Sequence, residues 1–334
     1  MDVASFCRQS RVLIVAGKGG VGKTTIAAAL ARMAALAGVS VLVVELEGKP
    51  GMPAAFGRTG ELDYEETVLV ETGKTTAEVR ARRITPDDAL LEYLADHGMK
   101  RISKRLVSSG TLDVVSTAIP GIRDILVLGR VKQLERDRLA DLIIVDAPAT
   151  GHAMTFLSSA QGLLDAARSG PVRAQAAEVV ELLSDPARSQ VALVTLPEEM
   201  PVNEVVEAAY QLEDRVGVTL GPVIANGCLP DDPRLAEDPV AAAAAAGVTL
   251  LPGQADALRA AADFRNHRRG LQEEQLARLA QELPLPQFRA PFLFSPTIGL
   301  PELDQLASAL ADGVARLDDS PPRTPVEARP GVTP

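Results

Sequence analysis

The stretch that most limits what this chain can fold into is GKGGVGKTT, residues 17–25. Gly17, four residues, Gly22, Lys23 and Thr24 complete the phosphate-loop pattern G-x-x-x-x-G-K-[ST]. Ahead of it, RVLIVA at 11–16 reads as a buried strand. Behind it, KTTIAAALARMAALA at 23–37 is apolar on every helical face until Gly38 stops it. Gly17, Gly19, Gly20 and Gly22 let the main chain curl, so that successive N–H groups and the positive end of the new helix face one anion. Val21 and Thr25 belong to the same phosphate-holding segment. Lys23 then contacts the nucleotide phosphates, and the Thr24 hydroxyl is a Mg2+ ligand. Lys18 is one lysine more than such a loop needs.

Downstream, strands and helices alternate, which predicts a doubly wound, mostly parallel α/β sheet covered on both faces. Strands are expected at 12–16, 40–46, 141–146, 190–195 and 219–226. Helices are expected near 87–97, 122–138, 153–168, 172–184, 202–215, 254–282 and 301–316. Residues 52–140 separate the second strand from the third by far more than one crossover requires. That excess predicts a mainly helical elaboration of one domain over 1–316, at about 75–140 and 153–185, with a hairpin near 62–72. From 317 onward the chain is proline-rich and polar and is expected to be disordered.

The strand in DLIIVDAPATGH, residues 141–152, ends in Asp146. A carboxylate at the C-terminal end of a strand beside a phosphate loop is where such folds hold Mg2+, usually through water. Composition narrows the partners. With 46% hydrophobic residues, 3% aromatic and no Trp, the core must be built from Ala, Val and Leu. A net charge of −10 opposes general affinity for DNA or anionic membrane. Cys7 and Cys228 form no CxxC pair, so neither a disulfide framework nor a four-cysteine zinc site is readable. The segment MDVASFCRQS has no basic-then-apolar pattern, and no apolar run is long enough to span a bilayer, so a cytoplasmic protein is expected.

KGGVGKTT together with DAPATGH resembles the deviant Walker A P-loop ATPases. Within them the likeness is to the arsenite-pump class, which also contains the ATPase that targets tail-anchored membrane proteins. VTLPEEMPVNEVVEA at 194–208 is similar to the class's strand, loop and helix after its second switch. IAN at 224–226 is similar to the strand that ends in an adenine-recognising Asn, here Asn226. VVELEGKPG at 43–51 resembles the paired ATPases of this class in actinobacteria.

The resemblance implies a Mg-ATP-dependent ATPase working as a homodimer or as a heterodimer with a related subunit, with its client or membrane transporter unidentified. It also implies a use for Lys18, as the lysine that reaches across the dimer to the phosphates held by the opposite subunit. Glu47 stands where the class has an Asp that orients the attacking water, one methylene farther out, which implies slow hydrolysis. Glu45 points to the same side of its strand and either shares that water or completes a polar network. Thr150, Gly151 and His152 match the second switch; His97 and His267 have no ligand-spaced companions. Two other readings stay open. One is a positioning or partitioning ATPase that binds membrane or DNA, for which RNHRRG at 265–270 is the only basic cluster. The other is a weakly catalytic regulatory subunit of a heteromeric ATPase.

Overall fold

The computed structural model describes residues 1–46, 51–96, 98 and 121–317. Its elements, in chain order, begin with helix α1 (Val3–Cys7), strand β1 (Val12–Gly17), helix α2 (Lys23–Leu36), strand β2 (Val41–Glu45) and helix α3 (Gly51–Ala55). Then come β3 (Thr67–Val70), β4 (Val79–Arg83), α4 (Pro86–Asp96), α5 (Ile122–Asp137), β5 (Leu142–Ala149), α6 (Thr150–Ala166) and α7 (Pro171–Ser184). The chain continues through β6 (Ser189–Thr195), α8 (Glu199–Val216), β7 (Leu220–Cys228), α9 (Pro239–Ala245), α10 (Gln254–Glu282), β8 (Gln287–Pro291) and α11 (Leu300–Ala315).

The eight strands form one sheet in the order β3-β4-β2-β5-β1-β6-β7-β8. All neighbours are parallel except the β3–β4 hairpin at one edge. β1 lies between β5 and β6, so the chain reverses its direction of travel across the sheet beside β1. In such sheets the crevice at the C-terminal strand ends, next to this reversal, is where ligands sit.

Strand alternation divides the core in two. Val12, Ile14, Leu42 and Val44 face one cluster with Leu128, Phe156 and Val179 from α5, α6 and α7. Leu13, Val15, Val41 and Val43 face the other, with Ile26 of α2, Met52 of α3 and Leu306 of α11. All six residues of β1 are buried, the pattern expected of a strand covered on both sides.

The five expected strands and seven expected helices are present, most within a few residues of the expected ends. The hairpin expected near 62–72 lies instead at 67–83, and the stretch expected to be helical from about 75 opens with β4, an inner strand. β4 reads VRARR, so its charge hid its position. In the fold Arg80 pairs with Glu66 at 2.6 Å, and the Arg82 guanidinium lies 4.4 Å from the centre of the Tyr64 ring. Those partners offset the burial of the arginine stems. β8 and α1 carry no sequence signal that the periodicity would catch. The tail from 318 lies outside the described residues.

Candidate functional site

The site is assembled at the C-terminal ends of β1, β5, β6 and β7. β1 ends at Gly17, where a Cβ would lie 2.3 Å from the Val194 carbonyl oxygen of β6. No other residue lets the strand pass so close to its neighbour before turning. Lys18, Gly19 and Gly20 are exposed at the mouth of the turn, whereas Val21 is buried and anchors it. Gly22 closes the turn in the left-handed region, at φ 88°, and is the N-cap of α2 without a side-chain cap. The first N–H groups of α2 are thus left to an anion rather than to a capping side chain.

Lys23, on the first turn of α2, is buried and donates from Nζ to the Lys18 carbonyl oxygen at 3.0 Å. Thr24 Oγ1 donates to Asp146 Oδ2 at 2.6 Å. Asp146 is buried near the end of β5, in register with Val15 on β1 and with Glu45 on β2. Glu45 is thus the lateral neighbour of Asp146 on the next strand and, at 2% exposed, does not belong to a solvated rim. Thr25 is half-buried on the same turn. The start of α3 approaches from the other side, Gly51 being close enough that a Cβ would lie 3.4 Å from Thr24 Cγ2.

Asn226 reaches the loop from β7, its Nδ2 donating to the Val21 carbonyl oxygen at 2.9 Å. A Cβ at Gly22 would lie 2.3 Å from the same nitrogen, a second reason for glycine there. Lys18 ion-pairs with Glu204 of α8, and with its side chain 52% exposed the ammonium remains at the surface. The two line a small cleft with Gly17, Val194, Pro201 and Val205.

The structure thus gathers Gly17, Lys18, Gly19, Gly20, Val21, Gly22, Lys23, Thr24, Thr25, Asp146 and Asn226 into one region. Glu47 lies outside the described residues, as does His97, and so do the side chains of Thr150, Gly151 and His152 at the start of α6. His267 is exposed on α10, away from any ligand-spaced group. Two residues escaped the sequence reading. Glu204 sits inside the stretch 194–208 but carries no local mark of its pairing with position 18. Gln272 is buried among the polar residues of α10, and a glutamine four and seven residues before the buried Leu276 and Leu279 was the available signal.

The donor set suits Mg2+ held by a threonine hydroxyl, phosphate oxygens and water, which needs no cage of protein carboxylates. Among the described residues no group of three or more His, Cys, Asp or Glu side chains could hold a metal by itself. The thiols are poor candidates for metalloid chemistry. Burial pushes Cys7 up to about 12 and Cys228 up to about 11, so both stay protonated, and the thiolate is the ligand form. No described helix is long and apolar enough to cross a membrane.

Comparison with known proteins agrees with this geometry. The family described as anion-transporting ATPase matches residues 10–167 and 165–238. The ATPase BagA of Mycobacterium tuberculosis is 38% identical over 234 residues, 66% of this chain and 66% of that protein. The arsenical pump-driving ATPase of Escherichia coli is 27% identical over 209 residues, 62% of this chain and 33% of that protein. The ATPase get3 of Schizosaccharomyces japonicus is 29% identical over 147 residues, 44% and 43% respectively. The matches span just under two thirds of the mycobacterial relative and less of the others. A family match across most of the sheet, from before β1 through β7, together with a complete phosphate loop at its centre, gives the conclusion: this chain belongs to the anion-transporting ATPase family.

Proposed function

We propose that the chain is a Mg-ATP-dependent ATPase that acts as a dimer, with hydrolysis driving a conformational switch that serves a client or transport partner. The observation that supports it most is the contact of Thr24 with Asp146 at an uncapped helix N-terminus. A hydroxyl, a carboxylate and a cradle of free-facing N–H groups in one place match a metal-bound triphosphate.

In this reading Gly17 to Thr25 hold the phosphates, Lys23 neutralises them, and Thr24 with Asp146 would hold Mg2+. Bound there, the ion would shield phosphate charge against the approach of a nucleophile. Asn226 contacts the base. Lys18 leaves Glu204 for the phosphates of the opposing subunit, offsetting charge that develops as the γ-phosphate departs. That exchange is inexpensive, because an exposed ion pair is worth only about 0–1 kcal/mol. Glu47 orients the attacking water, and its added methylene relative to Asp slows turnover. The partner is a second copy of this chain or a related subunit.

The test is phosphate release per mole of chain across a wide range of protein concentration at saturating Mg-ATP. Specific activity that rises with concentration supports a site completed by self-pairing. Absence of nucleotide binding would remove the reading altogether. Intact binding with negligible turnover at every concentration would replace the homodimer with a heteromer in which this chain is the weak subunit.

A further inference from the structure

We propose that Gln272 is a positioning residue for the nucleotide base: from α10 it holds the turn after Asn226 and thereby sets a preference for adenine over guanine. This rests on the reading of Asn226 as the base-contacting residue.

Gln272 is 8% exposed and occupies a core-facing position of α10, on the face that carries Leu276 and Leu279. An apolar side chain would be the ordinary choice there. Instead, Oε1 accepts from the Leu229 N–H at 2.8 Å and Nε2 donates to the Gly227 carbonyl oxygen at 3.2 Å. A buried amide with both ends engaged on one short stretch of backbone fixes that stretch.

The stretch needs fixing from outside. Gly227 turns the chain at φ 74° immediately after Asn226. The register between β7 and β8 shifts between Ala225 and Cys228, so the regular ladder is interrupted beside Asn226. Bulges of this kind re-aim a side chain and leave its backbone without the usual partners. Gln272 supplies partners on one side of the turn, and the Phe292 N–H, which donates to the Cys228 carbonyl oxygen at 2.8 Å, supplies one on the other.

The orientation of Asn226 then follows from chemistry. Its amide meets the Val21 carbonyl at 2.9 Å, and a carbonyl oxygen only accepts, so the NH2 group must face Val21 and Oδ1 must face away. An outward-facing acceptor pairs with the exocyclic amine of adenine and opposes the carbonyl oxygen at the same place on guanine. Val21 sets which end of the amide faces outward, and Gln272 sets where that end lies.

The experiment uses the full chain and measures equilibrium affinity for Mg-ATP, Mg-GTP and inorganic tripolyphosphate by competition against a fluorescent adenine nucleotide. Wild type, Asn226→Ala, Gln272→Leu and Gln272→Glu are compared. The expected result is that Asn226→Ala and Gln272→Leu each lower the ATP:GTP affinity ratio roughly fivefold to tenfold, the scale of one lost or misaligned hydrogen bond. Tripolyphosphate affinity is expected to stay at the wild-type value in the Gln272 variants, because Gln272 bonds the turn after Asn226 and not the phosphate loop. Gln272→Glu keeps the acceptor for Leu229 and loses the donor to Gly227, so its ratio falls between. Equal losses for ATP and GTP in the Gln272 variants would reduce the residue to a structural strut and overturn the proposal. A ratio that drops in Asn226→Ala but holds in the Gln272 variants would overturn it while leaving Asn226 in place. A ratio unmoved by Asn226→Ala would remove the base contact itself, and the proposal with it. If Gln272→Leu fails to fold, Gln272→Glu decides.

Discussion

Two regions of this chain are built largely of alanine, and they have opposite fates. In α2, Ala27, Ala28, Ala29, Ala31, Ala34 and Ala35 are wholly buried, pressed between the sheet and neighbouring helices. In α9, PVAAAAA has no buried residue, and the first half of α10 is exposed, with Phe264 69% open to solvent. Alanine content is therefore no guide to burial. In α2 it lets a helix lie close to the sheet, so the loop at its N-terminus is held from both sides. In α9 and early α10 it only favours the helix. The candidate site sits on the region where packing leaves no alternative, which is what a site needs if its donors are to stay within tenths of an ångström.

This contrast can be broken by substitution. The largest effect is expected at the loop itself. Lys18→Ala should keep Mg-ATP binding and lose roughly a thousandfold in phosphate release, the scale of a cation supplied in trans; a turnover equal to wild type would dismiss Lys18 from the mechanism. Next is Gly22→Ala, which forces a side chain into φ 88° and against the Asn226 amide. It should cost about 2 kcal/mol in chemical denaturation, and an unchanged midpoint would show the loop to be freer than its geometry implies.

The paired comparison comes third. Ala31→Leu in α2 overpacks a filled core and should cost about 1–3 kcal/mol, whereas Ala244→Leu on exposed α9 should stay within about 0.5 kcal/mol. Equal effects from thermal melts would mean that α9 is covered by a partner or that α2 has slack.

The smallest effect is on acid stability. Asp141 is held below its ordinary value of 3.8, first by the Ser40 backbone N–H, and Glu178 below 4.5, first by its hydrogen bond from Lys132. A lowered carboxylate stabilises the fold above its unfolded value and stops doing so as pH falls through the folded one. The melting temperature should therefore decline below about pH 4, and Glu178→Gln should make that decline shallower. Asp141 is exposed and the Glu178 side chain is 41% exposed, so screening by solvent should keep the change modest.

How far the sequence alone reaches can be judged from individual residues. β1, the loop and α2 were legible because their signals are contiguous: an apolar run, glycines at set intervals, then a lysine and a threonine. α10 was legible over its whole length, 254–282, because the stretch is free of proline and rich in Ala, Leu, Arg, Gln and Glu, which favour a helix at each position. Asp146 was legible because it ends an apolar strand. β4 was not, since three arginines in five residues suggest a surface, and partners such as Glu66 and Tyr64 for Arg80 and Arg82, and Glu61 for Arg83, make them tolerable in an inner strand. Glu204 and Gln272 were not legible either, because the groups they hold are distant in the chain: Glu204 lies 186 positions from Lys18, and Gln272 lies 43 from Leu229.

By itself the sequence determined the parts whose physics is local: a helix N-terminus shaped for phosphate, the strands and helices that alternate behind it, and an aromatic-poor core of small aliphatic residues. Only the tertiary structure decided the order of the strands, and with it that β5 lies against β1. That one adjacency brings Asp146 within 2.6 Å of Thr24 across 122 residues of chain. Strand order follows from nonlocal pairing and from which apolar faces bury one another, and neither is written in any one segment.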